Sequence, residues 1–168
     1  LLNQIRENKA SEETLQALNQ RYIPNFVPPK ESNYIRLTTH NAPAQYINEQ
    51  QLAALPSQSF SFTADIEGDF PETSYPADFK LTLKSGAQVM FIKNDPQHRF
   101  YNGMIGEVIG VRTDEDGSKI IVRSKDSDEE FDLEKMEWTN AKYTLNEKTK
   151  EIEETVEGKF MQYPLRLA

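Results

Sequence analysis

No cysteine occurs anywhere in the 168 residues. That absence excludes disulfide cross-links, thiolate nucleophiles and cysteine-rich zinc sites together. Histidine is nearly as scarce. His40 and His98 are the only two, and neither has a partner at metal-ligand spacing, so no metal site is expected. No apolar run approaches the ~18 residues of a membrane span, and no signal peptide is visible. Positive charge is also short: 19 Lys+Arg stand against 27 Asp+Glu, a formal net charge of -8. That balance argues against a standalone nucleic-acid binder held by a basic surface. Phosphate-cradling loops are missing as well, because Gly158-Lys159 continues into Phe160 rather than Ser or Thr. No Walker-type site, no GxGxxG and no nucleophile elbow can be drawn. A cytoplasmic protein without membrane contact is the expectation.

What remains is enough chain for one ordinary domain or two small ones, with a modest core, since 37% of residues are hydrophobic. The sequence opens inside an amphipathic helical pattern (Leu1, Leu2, Ile5) and closes on the apolar run Tyr163–Ala168. Both ends predict an excised segment of a longer polypeptide, because natural termini usually fray into polar residues. Ser11 fits an N-cap, with Glu12 and Glu13 where the helix dipole favours negative charge. Two short helices are therefore predicted up to about Gln20, before Pro24, Pro28 and Pro29 enforce a linker.

Tyr34-Ile35-Arg36-Leu37-Thr38 reads as a strand of β-formers. Asn41 is then placed to cap a helix that holds Pro43 in its first turn and ends near Pro56. Strand, corner, helix makes half of a βαβ unit. Phe60, Phe62 and Ala64 predict one more strand, and Pro71 and Pro76 an irregular connection up to residue 85. From Gly86 short apolar strands alternate with turns: Val89–Ile92, Ile105 and Val108–Val111, Ile120–Val122, Phe131 with Leu133, Tyr143–Leu145, Thr155-Val156, and Phe160–Leu167. That spacing favours a small antiparallel barrel closed by Phe91, Trp138, Tyr143 and Phe160.

One local pattern points to binding chemistry. Thr38-Thr39-His40-Asn41 gathers two hydroxyls, an imidazole and an amide where a helix start turns its N–H groups outward, a ready anion site. The bland alternative is a strand end followed by a cap. Asn102-Gly103 is either a type I′ turn or a tip that touches a partner. Phe100 and Tyr101 beside Arg99 could stack on bases. Asp65, Glu67 and Asp69 could form an acid/base pair, although an exposed strand would space them the same way. Asp114–Gly117 resembles a calcium loop only faintly and is better read as a solvated hairpin tip. The acidic runs Asp126–Glu130 and Glu151–Glu157 read as solvated surface that discourages edge pairing.

Several stretches taken together resemble the PIF-family and RecD-like DNA helicases of superfamily 1. Leu81–Asn94 is similar to the family's LKxGAQVMxIKN segment, Tyr101–Val108 to its VNGxxGxV, and Gln162–Ala168 to the QxPLxLA that precedes its HKSQG motif. Leu37–Asn41 with Ile47-Asn48 resembles the strand and helix of the second RecA-like domain. The resemblance implies an α+β fold: a helical segment and linker over 1–30, a partial RecA-like strand–helix domain over 31–85, and an inserted SH3-like β-barrel with a return strand over 86–168. It implies that Thr38, Thr39, His40 and Asn41, with Asn102 and Gly103 on the barrel, lie along a single-stranded DNA track. The parent would be an ATP-dependent helicase using ATP and Mg2+ through its remaining domains, and this segment would hydrolyse nothing alone. Two other readings stay open. One is a peptide-binding adaptor with a groove of Phe91, Tyr101 and Trp138; the other is a hydrolase built on Asp65 and Asp69.

Overall fold

The computed structural model describes residues 1–29, 34–115, 117–145 and 150–168. Asp116 of the expected hairpin tip, most of the expected loop at 146–150, and residues 30–33 at the expected domain boundary lie outside the described residues. The chain divides into two units, Leu1–Tyr34 and Ile35–Ala168.

In the first unit, the two predicted short helices form as α1 (Leu2–Arg6) and α2 (Glu12–Asn19), the second with the predicted cap. Ser11 Oγ accepts the backbone N–H of Thr14 at 3.2 Å, and Glu12 and Glu13 occupy the first turn. The buried residue of α2 is Thr14, whose hydroxyl donates to Gln4 Oε1 at 2.9 Å and ties the two helices together.

Among the described residues the second unit holds α3 (Asn41–Ala54) and ten strands, β1 to β10. The strands are β1 (Ser59–Thr63), β2 (Asp65–Gly68), β3 (Lys80–Lys84), β4 (Gln88–Phe91), β5 (Ile105–Asp114), β6 (Gly117–Ser124), β7 (Glu130–Leu133), β8 (Met136–Leu145), β9 (Ile152–Gln162) and β10 (Leu165–Leu167). They pair antiparallel as three sheets: β1-β3, β10-β4-β5-β6-β7, and β2-β9-β8. The fold is α+β. The five-stranded sheet ends at β10 on one side and β7 on the other, so its ladder does not close into a barrel among the described residues.

Period-2 alternation explains the core. Val89 and Phe91, Ile120 and Val122, and Phe131 and Leu133 put one side of each strand into a shared cluster, joined by Leu81, Leu83 and Leu165. Phe91 is fully buried and meets Phe100 at 4.6 Å between ring centroids. Such a ring contributes about 1.5–3 kcal/mol by burial. A smaller cluster gathers Ala64, Ala77 and Phe160 against Trp138 and Tyr75.

Several expectations need correction. Tyr34–Thr38 forms no strand: it pairs with nothing among the described residues, and Leu37 is 87% exposed. β-formers satisfy their backbone as a strand only when a ladder is available. The stretch 57–85, expected to be mostly irregular, contains β2 and β3 beside the predicted β1. The single final strand Phe160–Leu167 is two. β9 pairs with β2 and β8, β10 pairs with β4, and the switch of sheets falls at Tyr163-Pro164, where proline has no N–H to donate. Tyr143 closes no core, being 65% exposed on the outer half of the β8–β9 hairpin.

Candidate nucleic-acid interface

α3 is an alanine-rich stretch with proline in its first turn, and it starts one residue earlier than the capping pattern predicts. His40 is the N-cap, in extended backbone, and Asn41 is the first helical residue. No side chain caps the start. Its first N–H groups therefore have no intrahelical partner and carry the positive end of the helix dipole. The hydroxyls in front of it are locally arranged: Thr38 Oγ1 donates to the His40 carbonyl at 2.7 Å, and Thr39 Oγ1 lies 2.9 Å from His40 Nδ1. Thr38, Thr39, His40 and Asn41 are all exposed. Neutral donors at an open helix start suit a phosphate oxygen and read no base.

Asn102 and Gly103 sit elsewhere, on the connection from β4 to β5. The Met104 N–H donates to the Tyr101 carbonyl at 3.1 Å, closing a four-residue turn. Positive φ occurs at Gly103 (+96°) but not at Asn102. The predicted type I′ turn needs it at both, so the turn follows the type II pattern. Asn102 N–H donates to Asn94 Oδ1 at 2.8 Å, and Tyr101 Oη donates to Asp126 at 3.3 Å. None of the hydrogen bonds of this turn reaches the Thr38–Asn41 corner, and the Asp126 carboxylate beside it opposes a phosphate.

The same connection carries an organised ion pair that the sequence reading overlooked. Arg99 donates through Nε and Nη2 to both oxygens of buried Asp95, at 2.9 and 3.0 Å, and adds its backbone N–H at 3.0 Å. The Arg99 side-chain bonds hold the Asp95 carboxyl down at about 2, against the opposing effect of burial. The i, i+4 spacing of Asp and Arg was the available signal. The pairing of Lys93 with Trp138 was missed likewise. Lys93 Nζ lies 4.6 Å over the indole and donates to the Glu137 carbonyl, and burial lowers its pKa. Their separation in sequence left no local signal.

The rival sites do not assemble. Phe91 is fully buried in the larger cluster while Tyr101 is 56% exposed and Trp138 packs on the smaller one, so they line no common groove. Of the aromatics considered for base stacking, Phe100 is buried and Tyr101 is open. Asp65 is bound to Lys135 Nζ at 2.6 Å. Neither Asp65 nor Asp69 borders the depression of about 280 Å³ between Asp95, Arg99, Asp132 and Glu134. Among the described residues no three His, Asp or Glu converge as metal ligands. No phosphate loop occurs in the sequence either.

No protein-family model matches the chain. It is 40% identical over 119 residues to the ATP-dependent DNA helicase Pif1 of Psychrobacter sp., a match covering 67% of this chain and 18% of that protein. A second Pif1, from Bdellovibrio bacteriovorus, is 27% identical across the whole chain, which spans 36% of it. The chain thus spans about a third or less of the curated relatives it matches. Among solved structures, Bacteroides sp. Pif1 in complex with ADP-AlF4 superposes with a TM-score of 0.79 at 31% identity, over 99% of this chain and 37% of that one. Bacteroides Pif1 bound to ssDNA superposes with a TM-score of 0.68 at 33% identity, again over 99% of this chain and 37% of that one. Sequence and fold agree over the same residues, and the chain belongs to the Pif1 family of DNA helicases.

Proposed function

We propose that this chain is the part of an ATP-dependent DNA helicase that contacts single-stranded DNA without burning nucleotide. In this reading residues 31–85 contribute to the second RecA-like domain and residues 86–168 are the counterpart of an inserted SH3-like domain that guides the strand. The helical segment over 1–30 leads into them. ATP and Mg2+ belong to other domains of a longer cytoplasmic polypeptide, the chain's remaining partners. The observation that carries the reading is the superposition of the whole chain on a Pif1 bound to ssDNA.

The chemistry at the corner supports it. The open N–H groups of α3 would hold one phosphate, with the Thr38 and Thr39 hydroxyls turning toward it from their His40 contacts and His40 and Asn41 flanking it. Holding the backbone and ignoring the bases is what a motor stepping along a strand requires. The acidic surface keeps such contacts few, so binding by the chain alone is weak. Asn102 and Gly103 would touch the strand only at its edge, beside Asp126.

Fluorescence anisotropy with labelled oligo(dT) tests this reading. Weak, salt-sensitive binding that falls when Thr38→Ala and Thr39→Ala are combined supports it. Binding that is absent, or indifferent to the double substitution, overturns the role of the corner.

A further inference from the structure

α3 is held by two side chains that no helix pattern announces, one at its far end and one midway along it. Lys84, the last residue of β3, reaches the C-terminal carbonyls of the helix: its Nζ donates to the Leu55 oxygen at 2.7 Å and to Ala53 at 3.4 Å. The helix has no basic residue in its own last turn. Lys84 therefore supplies both the missing donors and the cation that a helix C-terminus favours. Asn48 provides the second tether, donating through Nδ2 to the Leu167 carbonyl of β10 at 3.0 Å. Asn48 and Leu55 are two turns apart on one face of the helix. On that face Leu52 and Leu55 pack against the larger core cluster, and Leu55 Cδ2 lies 3.6 Å from where a Cβ on Gly86 would stand. The two ends of α3 are thus unlike. One is capped from a sheet, and the other, at Thr38–Asn41, is open.

We propose that Lys84 and Asn48 are positioning residues for the corner, fixing the rotation and axial register of α3 so that its open N–H groups stay aligned with the strand. The proposal rests on the reading of the corner as a phosphate contact. Neither side chain would touch DNA: Lys84 bonds to carbonyls at the C-terminal end of α3 and Asn48 to a carbonyl of β10, and Asn48 stands about 10 Å along the axis from Asn41. They act through the helix. Lys84 belongs to the Leu81–Asn94 stretch, so that stretch would be tied mechanically to the DNA contact.

The test compares oligo(dT) affinity of this 168-residue chain with that of Lys84→Met, Lys84→Arg and Asn48→Ala, alone and on the Thr38→Ala/Thr39→Ala background. Thermal melting and amide exchange of the β5–β6 ladder identify folded variants. Lys84→Met and Asn48→Ala should each weaken binding about fivefold, and on the double-alanine background they should cost clearly less, because the helix then aligns only its N–H groups and coupled groups are not additive. Lys84→Arg should restore most of the affinity. The salt dependence should keep its slope, since Lys84 is engaged with the carbonyls of α3 and not with phosphate, whereas removing a lysine bound to phosphate would lower it by about one. Undiminished affinity in folded Lys84→Met and Asn48→Ala overturns the proposal, as does an equal loss on both backgrounds or a reduced salt slope. An unsubstituted chain that fails to bind overturns the corner reading itself, and the proposal with it.

Discussion

Gln162 donates its side-chain Nε2 to the Phe62 carbonyl at 3.1 Å, across the junction where β9 leaves one sheet and β10 joins another. The same nitrogen reaches Asp78 and Phe79 carbonyls at 3.1 and 3.3 Å, and Oε1 accepts the Tyr163 N–H at 3.0 Å. Gln162 is completely buried. One amide therefore serves carbonyls from β1 and from the segment before β3, and its oxygen takes up a buried backbone N–H. Leucine at this position has similar bulk and no donor. Gln162→Leu is expected to cost about 1–3 kcal/mol, because the buried Tyr163 N–H loses its acceptor. Urea denaturation measures the loss, and an unchanged midpoint would contradict this role.

Asp95 gives the stability a pH signature. Its carboxyl titrates at about 2 in the folded chain because Arg99 holds the ionised form, against about 3.9 when unfolded. A group depressed by folding adds stability that is complete above the unfolded value and disappears as pH falls through the folded one. Stability should therefore decline between about pH 4 and pH 2 through this residue. Asp95→Asn should be less stable at neutral pH and show a flatter acid limb in urea titrations repeated across that window. The same acid limb in both proteins would rule out this contribution.

Gly158 and Gly110 make a matched pair for testing backbone approach. A Cβ on Gly158 would stand 2.2 Å from the Asp69 carbonyl oxygen, where β2 and β9 meet, whereas one on Gly110 meets nothing within 4 Å. Gly158→Ala is expected to cost about 1–3 kcal/mol as an overpacked contact. Gly110→Ala should change stability little. Melting temperatures of the two variants check the contrast, and equal values would refute it.

How legible this was in the sequence depends on how local the cause is. Val89/Phe91, Ile120/Val122 and Phe131/Leu133 announce their strands because each has one buried side and one open side at period 2. Ser11 announces α2 because capping is decided within four residues. Leu81 and Leu83 alternate in the same way, but the prolines before them made the whole stretch look irregular. Tyr34–Thr38 fails in the opposite direction: its propensity is right for a strand, yet a strand is a pairing, and this stretch joins no sheet among the described residues. The Asn102-Gly103 turn was misassigned because β4 ends at Phe91 and β5 begins at Ile105, too far apart for a two-residue hairpin. At the candidate site the corner was visible as four consecutive residues. Asn48–Leu167, Lys84–Leu55 and Lys93–Trp138 were not, because nothing local links residues so distant in the chain.

The central claim is that the open start of α3 holds the phosphate of a single strand. Amide hydrogen exchange of this chain with and without saturating oligo(dT) tests it most directly, because it reports the contact residue by residue. The account predicts slowed exchange confined to Thr38–Ala44, with the β5–β6 ladder unchanged. Protection that appears on the sheets and leaves Asn41 and Ala42 unaffected would contradict it.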